Sequence, residues 1–130
     1  MVLNDTSLSR AERENGFRVL LLHDVIEDTR ASLPVDLPSE VVGLVREMTY
    51  ENFDEEKKIV PGKSAFLQLL KIVDKVATIY DNHGSEHIFS AERKKDWRSY
   101  TELLLQNVQS EFGHTQVFKI AKTIVANCGW

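Results

Sequence analysis

One short segment concentrates the residues that could do chemistry. Residues 21–29 read LLHDVIEDT, so His23 and Asp24 are adjacent and Glu27 and Asp28 follow one turn later. On an α-helix, at about 100° per residue, His23 and Glu27 share one stripe. Asp24 and Asp28 share the neighbouring stripe. Because ionisable groups beside a buried apolar run need charge compensation, and a divalent cation provides it, the segment predicts a metal site.

A simpler interpretation is open for the same residues. Asp28 and Thr29 are typical of a helix that ends and leads into a loop. A buried His23 is then an ordinary core histidine whose ring is satisfied by hydrogen bonds. This reading would suffice for an isolated His-Asp pair, whereas the cluster of four ionisable groups favours the metal.

Composition limits the classes of protein that fit. The 130 residues, 42% of them hydrophobic, fit one domain spanning 1–130. A net charge of −4 argues against nucleic acid as a partner but allows a small anionic substrate. Cys128, the single cysteine, excludes an internal disulfide and suits a reducing cytoplasm. No apolar stretch predicts a membrane span or a secretory signal, so we expect a cytoplasmic protein.

The first half of the chain predicts two helices, or three if Gly16 interrupts the first, and a loop. A helix begins near Ser9, with Glu12 completing a capping box, and residues 17–28 form a helix that is apolar on almost all faces. Ser39 is the expected N-cap of a short helix that ends near residue 50. The acidic-then-basic stretch 51–62, closed by Pro-Gly, is typical of an exposed loop.

The second half predicts three further helices. Residues 63–82 carry an apolar face at helical spacing, and the opposite stripe is polar, which indicates either solvent exposure or the wall of a site. Helices follow over 90–112 and 115–127, and no segment has the alternation of a strand. We therefore expect an all-α fold of five to six helices. The polar stripe consists of Lys71, Asp74, Thr78, Asp81 and Asn82.

These motifs resemble the HD-domain metal-dependent phosphohydrolases, and most closely the branch of stringent-response (p)ppGpp hydrolases. LLHDVIEDT (21–29) is very close to that branch's LLHDVVEDT, and LKIVDK (70–75) is close to its LIKLADR. Residues 40–49 occupy the place of a short helix that this branch carries between the two motifs. The resemblance implies a compact, HD-domain-like helical bundle.

The resemblance also implies a cofactor and its ligands. A divalent ion, Mn²⁺ above all, would be held by His23, Asp24 and Asp74 together with one further histidine. Imidazole and carboxylate ligands suit such ions, which polarise a phosphoryl oxygen and lower the pKa of a bound water. The implied activity is hydrolysis of a small nucleotide or a (p)ppGpp-like phosphate ester.

Further roles follow from the same resemblance. Glu27 and Asp28 would orient or deprotonate the attacking water as general base. Lys71 would offset phosphate charge or hold Asp74 in place, although a lysine three residues before an aspartate is also an ordinary surface pair. Thr78 stands where the branch usually has an asparagine that contacts the substrate sugar, and Asn82 lies one turn further on the same stripe.

The chain departs from the family pattern at the first metal-ligand histidine, because residues 1–22 contain none. Three explanations are open: an N-terminal portion is missing, another residue supplies the fourth ligand, or the site is degenerate. The last makes the chain an HD-fold nucleotide-binding or protein-interaction module. An exposed apolar surface on the 17–22 helix predicts a homodimer. The substitutes for the missing ligand are His83, His87, His114, Asp5 and Asn4.

Overall fold

The structure, a computed structural model, describes residues 1–28, 33–34, 36–81 and 89–130. Within these residues it contains six α-helices, one short 3₁₀ helix and no strand, which confirms the all-α prediction. The helices are α1 (Arg10–Asp28), α2 (Ser39–Met48), α3 (Phe53–Ile59), the 3₁₀ helix (Val60–Gly62), α4 (Ala65–Asp81), α5 (Ala91–Phe112) and α6 (Gln116–Asn127). No described helix is long and apolar enough to cross a membrane.

Contacts divide the chain into two compact units, Met1–Lys58 and Ile59–Trp130. In the first unit α1 packs against α2. In the second, α4, α5 and α6 pack against one another, and the 3₁₀ helix contacts α4 and α5. The expectation of a single domain over 1–130 stays a prediction.

Helix α1 begins with the predicted capping box. The backbone N–H of Ser9 donates to Glu12 Oε1 at 2.9 Å, and the N–H of Glu12 donates to Ser9 Oγ at 3.1 Å. The prediction that residues 17–28 are apolar and buried on almost all faces is wrong, because Phe17 and Leu21 are 44% and 55% exposed. The helix is amphipathic in this region, with Val19 on its buried side.

Helix α2 begins one residue earlier than predicted. Pro38 is the N-cap residue, and its carbonyl accepts from the N–H groups of Val41 and Val42 at 3.0 and 3.1 Å. Ser39 is therefore the first helical residue and not the cap. The ψ of Pro38 is 140°, which is extended and not helical, so helical backbone begins only at the next residue. Val41, Val45 and Met48 are buried as expected.

The loop predicted over 51–62 is wrong, because α3 and the 3₁₀ helix occupy most of it. The N–H of Glu55 donates to Asn52 Oδ1 at 2.9 Å, so the Asn52 side chain caps the start of α3. The acidic-then-basic order complements the helix dipole, with negative charge in the first turn and positive charge in the last. The same charge order that is typical of a solvated loop thus stabilises a short helix.

Helix α4 is the central element of the second unit. Gln68 is buried, and its Nε2 donates to the carbonyls of Lys63 (2.9 Å) and Pro61 (3.3 Å), while its Oε1 accepts from Asn107 Nδ2 at 3.0 Å. These bonds fix the start of α4 against the preceding turn and against α5. The apolar face is mostly buried, but Phe66 is half-buried and Tyr80 is 69% exposed.

Helices α5 and α6 begin within one residue of their predicted starts, and each start has a side-chain cap. Ser90 Oγ accepts from the N–H of Arg93 at 3.1 Å, and Thr115 Oγ1 accepts from the N–H of Phe118 at 3.2 Å. Most of the expected inner positions are buried. Two apolar side chains expected inside, Leu103 on α5 and Ile120 on α6, are exposed.

Candidate metal centre

Helix α1 brings an imidazole and a carboxylate together. His23 is 1% exposed, and its Nε2 lies 3.4 Å from Oδ1 of Asp24, whose side chain is 66% exposed. Neighbouring residues on a helix point about 100° apart, so both side chains must turn to meet. The separation is longer than an ordinary N–H···O bond of roughly 2.7–3.2 Å. It is close to the ~3.0–3.4 Å between adjacent ligand atoms when metal–ligand bonds are about 2.0–2.1 Å long.

Helix α4 surrounds Asp74 with positive charge. Asp74 Oδ2 lies 3.3 Å from Lys75 Nζ and 3.9 Å from Lys71 Nζ. Both lysines are buried, and Lys71 is 0% exposed. Solvent exposure, one of the two interpretations of the polar stripe, is therefore wrong at Lys71. Buried lysines are rare in proteins unless they are paired, which makes this stretch of α4 unusual for a surface helix.

Three residues in the described part of the chain are candidate metal ligands: His23 and Asp24 in the first unit and Asp74 in the second. His23 is buried, Asp24 is exposed and Asp74 is half-buried. One imidazole nitrogen and two carboxylate oxygens form a donor set that suits divalent ions such as Mn²⁺, Fe²⁺ or Zn²⁺. The donor set therefore fits the kind of ion that the sequence motifs imply, without selecting which one.

Of the remaining predicted site residues, the structure describes the side chain of some and not of others. Thr78 is half-buried, and its hydroxyl donates to the carbonyl oxygen of Asp74 at 3.3 Å, one turn back along α4. Glu27 and Asp28 belong to the last turn of α1, but their side chains lie outside the described part of the structure. Asn82 also lies outside the described residues.

The candidates for a fourth ligand differ in their exposure to solvent. His114 is exposed in the turn between α5 and α6. Asp5 is fully buried, and its Oδ1 accepts from the N–H of Ser7 at 2.9 Å, whereas Asn4 is exposed. His114, Asp5 and Asn4 are therefore not among the three candidate metal ligands named above. His83 and His87 lie outside the described residues.

Sequence reasoning missed Lys75 and its aromatic neighbour. Lys75 Nζ lies 4.3 Å from the centroid of the Trp97 ring, and Trp97 Nε1–H donates to the carbonyl oxygen of Lys75 at 3.2 Å. The only signal in the sequence was a second lysine immediately after Asp74. Because Trp97 lies on a different helix, nothing in the pattern of α4 could connect it to this carboxylate.

No protein-family model, no curated protein sequence and no solved structure matches this chain significantly. A relation to HD-domain enzymes stays a prediction from the two sequence motifs and the types of side chain that they contribute.

Proposed function

We propose that this chain is a divalent-metal-dependent phosphohydrolase of the HD-domain type, acting on a small nucleotide or a (p)ppGpp-like phosphate ester. The observation that carries the proposal is the convergence of the buried His23 ring and the Asp24 carboxylate, 3.4 Å apart, within the LLHDVIEDT motif. A histidine-carboxylate pair with this separation is suited to share an ion.

Three residues would hold the ion: His23, Asp24 and Asp74. When bound, a divalent ion polarises a phosphoryl oxygen and supplies an acidified water at neutral pH. The exposed side chain of Asp24 supports access from solvent for ion and substrate, while the buried His23 supports a fixed position for the imidazole nitrogen.

The charges near Asp74 support an anionic substrate. Lys71 and Lys75 bring two ammonium groups to within 4 Å of the same carboxylate oxygen. Such groups interact favourably with the non-bridging oxygens of a phosphate ester, and burial strengthens the interaction because water screens it less. In this proposal Lys71 offsets the charge of the phosphate from its buried position, and Thr78 and Asn82 contact the rest of the substrate.

Proton transfer is assigned to the end of α1. Glu27 and Asp28 follow the metal pair by one turn, so one of them orients and deprotonates the attacking water. This part of the proposal comes from the position of the two residues in the motif.

A catalytically degenerate HD-fold module, binding a nucleotide or another protein, is the second candidate function. The number of ligands favours this second candidate. The described part of the chain supplies three candidate metal ligands, whereas the resemblance implies four. Loss of one ligand would weaken the hold on the ion and leave a polar binding surface. The two candidates differ in metal content and in hydrolysis.

The first test is the metal content of the chain purified without chelator, measured by mass spectrometry. We expect about one equivalent of Mn, Fe, Zn or Ni per chain, because a site with three protein ligands retains its ion through purification when the fourth position is filled. His23→Ala and Asp74→Ala should each lose it. Asp81→Ala is the matched control, because it removes an exposed aspartate from the helix that carries Asp74, and it should retain the ion.

The second test is hydrolysis by the Mn²⁺-loaded chain. We expect release of phosphate or pyrophosphate from at least one member of a panel of nucleotides that includes ppGpp, and none from His23→Ala. Bound metal without hydrolysis would favour the binding module. A parent chain without metal would overturn both the metal site and the phosphohydrolase.

A further inference from the structure

Two lysines of α4 converge on one oxygen of one carboxylate. Lys75 Nζ lies 3.3 Å from Asp74 Oδ2, and Lys71 Nζ lies 3.9 Å from the same atom. Lys71 is one turn away, where side chains on a helix normally meet. Lys75 is the next residue, and adjacent side chains on a helix point apart, so its shorter contact needs another cause.

Trp97 of α5 supplies that cause. Its ring lies under the Lys75 ammonium group, with 4.3 Å from Nζ to the ring centroid, and its Nε1–H donates to the Lys75 carbonyl oxygen at 3.2 Å. The indole therefore contacts the same lysine at both its backbone and the end of its side chain. Cation–π attraction favours an ammonium position over the ring, and this position directs Nζ back towards Asp74.

The position of Trp97 is itself fixed by its surroundings. The side chain is 7% exposed, and the Phe89 ring packs against it at a centroid distance of 5.2 Å. The Arg93 guanidinium in turn lies over the Phe89 ring, with 4.7 Å from its central carbon to the ring centroid. All these residues belong to one compact unit of the chain, so the arrangement is a property of that unit.

We propose that Lys75, held by Trp97, is a positioning residue for metal binding: it engages Oδ2 of Asp74 and so orients this carboxylate before the ion binds. This inference rests on the proposed function, since it requires Asp74 to be a metal ligand. Partners that hydrogen-bond or ion-pair with a ligand fix its orientation before the ion arrives, and their removal typically weakens metal binding about 10- to 100-fold.

The test is Mn²⁺ affinity of the full chain, measured by equilibrium dialysis with Mn²⁺ as the only ligand. Lys75→Met keeps the aliphatic stem and removes the charge, and we expect Mn²⁺ binding to weaken by about tenfold or more. Lys95→Met, an exposed lysine of α5, is the matched control and should bind as the parent does. Lys75→Arg should restore most of the affinity because it restores a cation beside Oδ2.

A second variant keeps the inference testable if Lys75→Met does not fold. Trp97→Leu keeps an apolar side chain at this buried position but removes both the ring beneath the ammonium group and the N–H that donates to the Lys75 carbonyl. We expect weaker Mn²⁺ binding at unchanged helical circular dichroism, and parent-like binding by this variant would overturn the role of Trp97.

The outcomes separate the two proposals. If the parent binds Mn²⁺ and folded Lys75→Met binds it equally well, the positioning role is wrong while the metal site stands. If the parent binds no Mn²⁺, the proposed function fails and the positioning role fails with it.

Discussion

Tyr50, just after α2, shows how the fold changes the ionisation of a single residue. Burial raises the pKa of its hydroxyl group, and the nearby carboxylates of Glu56, Glu47 and Glu55 raise it further, because each disfavours the phenolate. All four residues lie in the first compact unit. The folded state therefore holds the Tyr50 proton more tightly than the unfolded chain does.

The raised pKa of Tyr50 makes the free energy of unfolding depend on pH in the alkaline range. A folded pKa above the unfolded value of about 10 contributes stability that is complete below pH ~10 and is lost as pH rises through the folded pKa. We expect the urea midpoint of Tyr50→Phe to fall less between about pH 9.5 and 11 than that of the parent. Tyr80→Phe, at an exposed position, should follow the parent. Equal alkaline losses in parent and Tyr50→Phe would contradict the assignment.

At the scale of the helix, local signals determine where most elements begin. Ser9, Ser90 and Thr115 each stand at a helix start, and each hydroxyl accepts a backbone N–H three residues ahead. These bonds satisfy N–H groups that have no partner inside the helix. Helix α3 begins in the same way at Asn52 but was missed, because its charge order and its Pro-Gly end matched a loop equally well.

The cap of α5 gives a prediction at this scale. We expect Ser90→Ala to lower the free energy of unfolding by about 1 kcal/mol, since the N–H of Arg93 loses its acceptor. Ser99→Ala is the matched control, because Ser99 is exposed in the interior of the same helix, where alanine is the better helix former. Urea unfolding followed by tryptophan fluorescence measures both. A control that destabilises as much as Ser90→Ala would show that the cap contributes nothing specific.

At the scale of the whole molecule, an apolar stripe on α1 faces solvent. Phe17 and Leu21, one turn apart, are both exposed, and Met1 and Leu3 in the preceding segment are exposed too. Exposed apolar side chains favour association, because pairing removes them from water. A homodimer that uses this stripe therefore stays our prediction.

Light scattering at several concentrations tests it. We expect the parent to reach twice the 14.9 kDa chain mass, and Leu21→Glu to remain a monomer because a carboxylate cannot be buried unpaired in an apolar interface. Leu103→Glu, at a similarly exposed leucine of α5, should associate as the parent does. A parent that is monomeric throughout the concentration range would exclude the dimer.

The sequence by itself determined the helical class, the approximate bounds of most helices, and the residue types that suit a divalent ion. These properties depend on caps, on apolar spacing and on side-chain chemistry, all of which are local. Only the tertiary structure decided that Lys71 is buried, that Phe17 and Leu21 are exposed, and that Trp97 contacts Lys75. The physical reason is that burial and contacts between helices depend on which elements pack together, and a helical stripe of mixed polarity has the same spacing whether it faces water or a neighbouring helix.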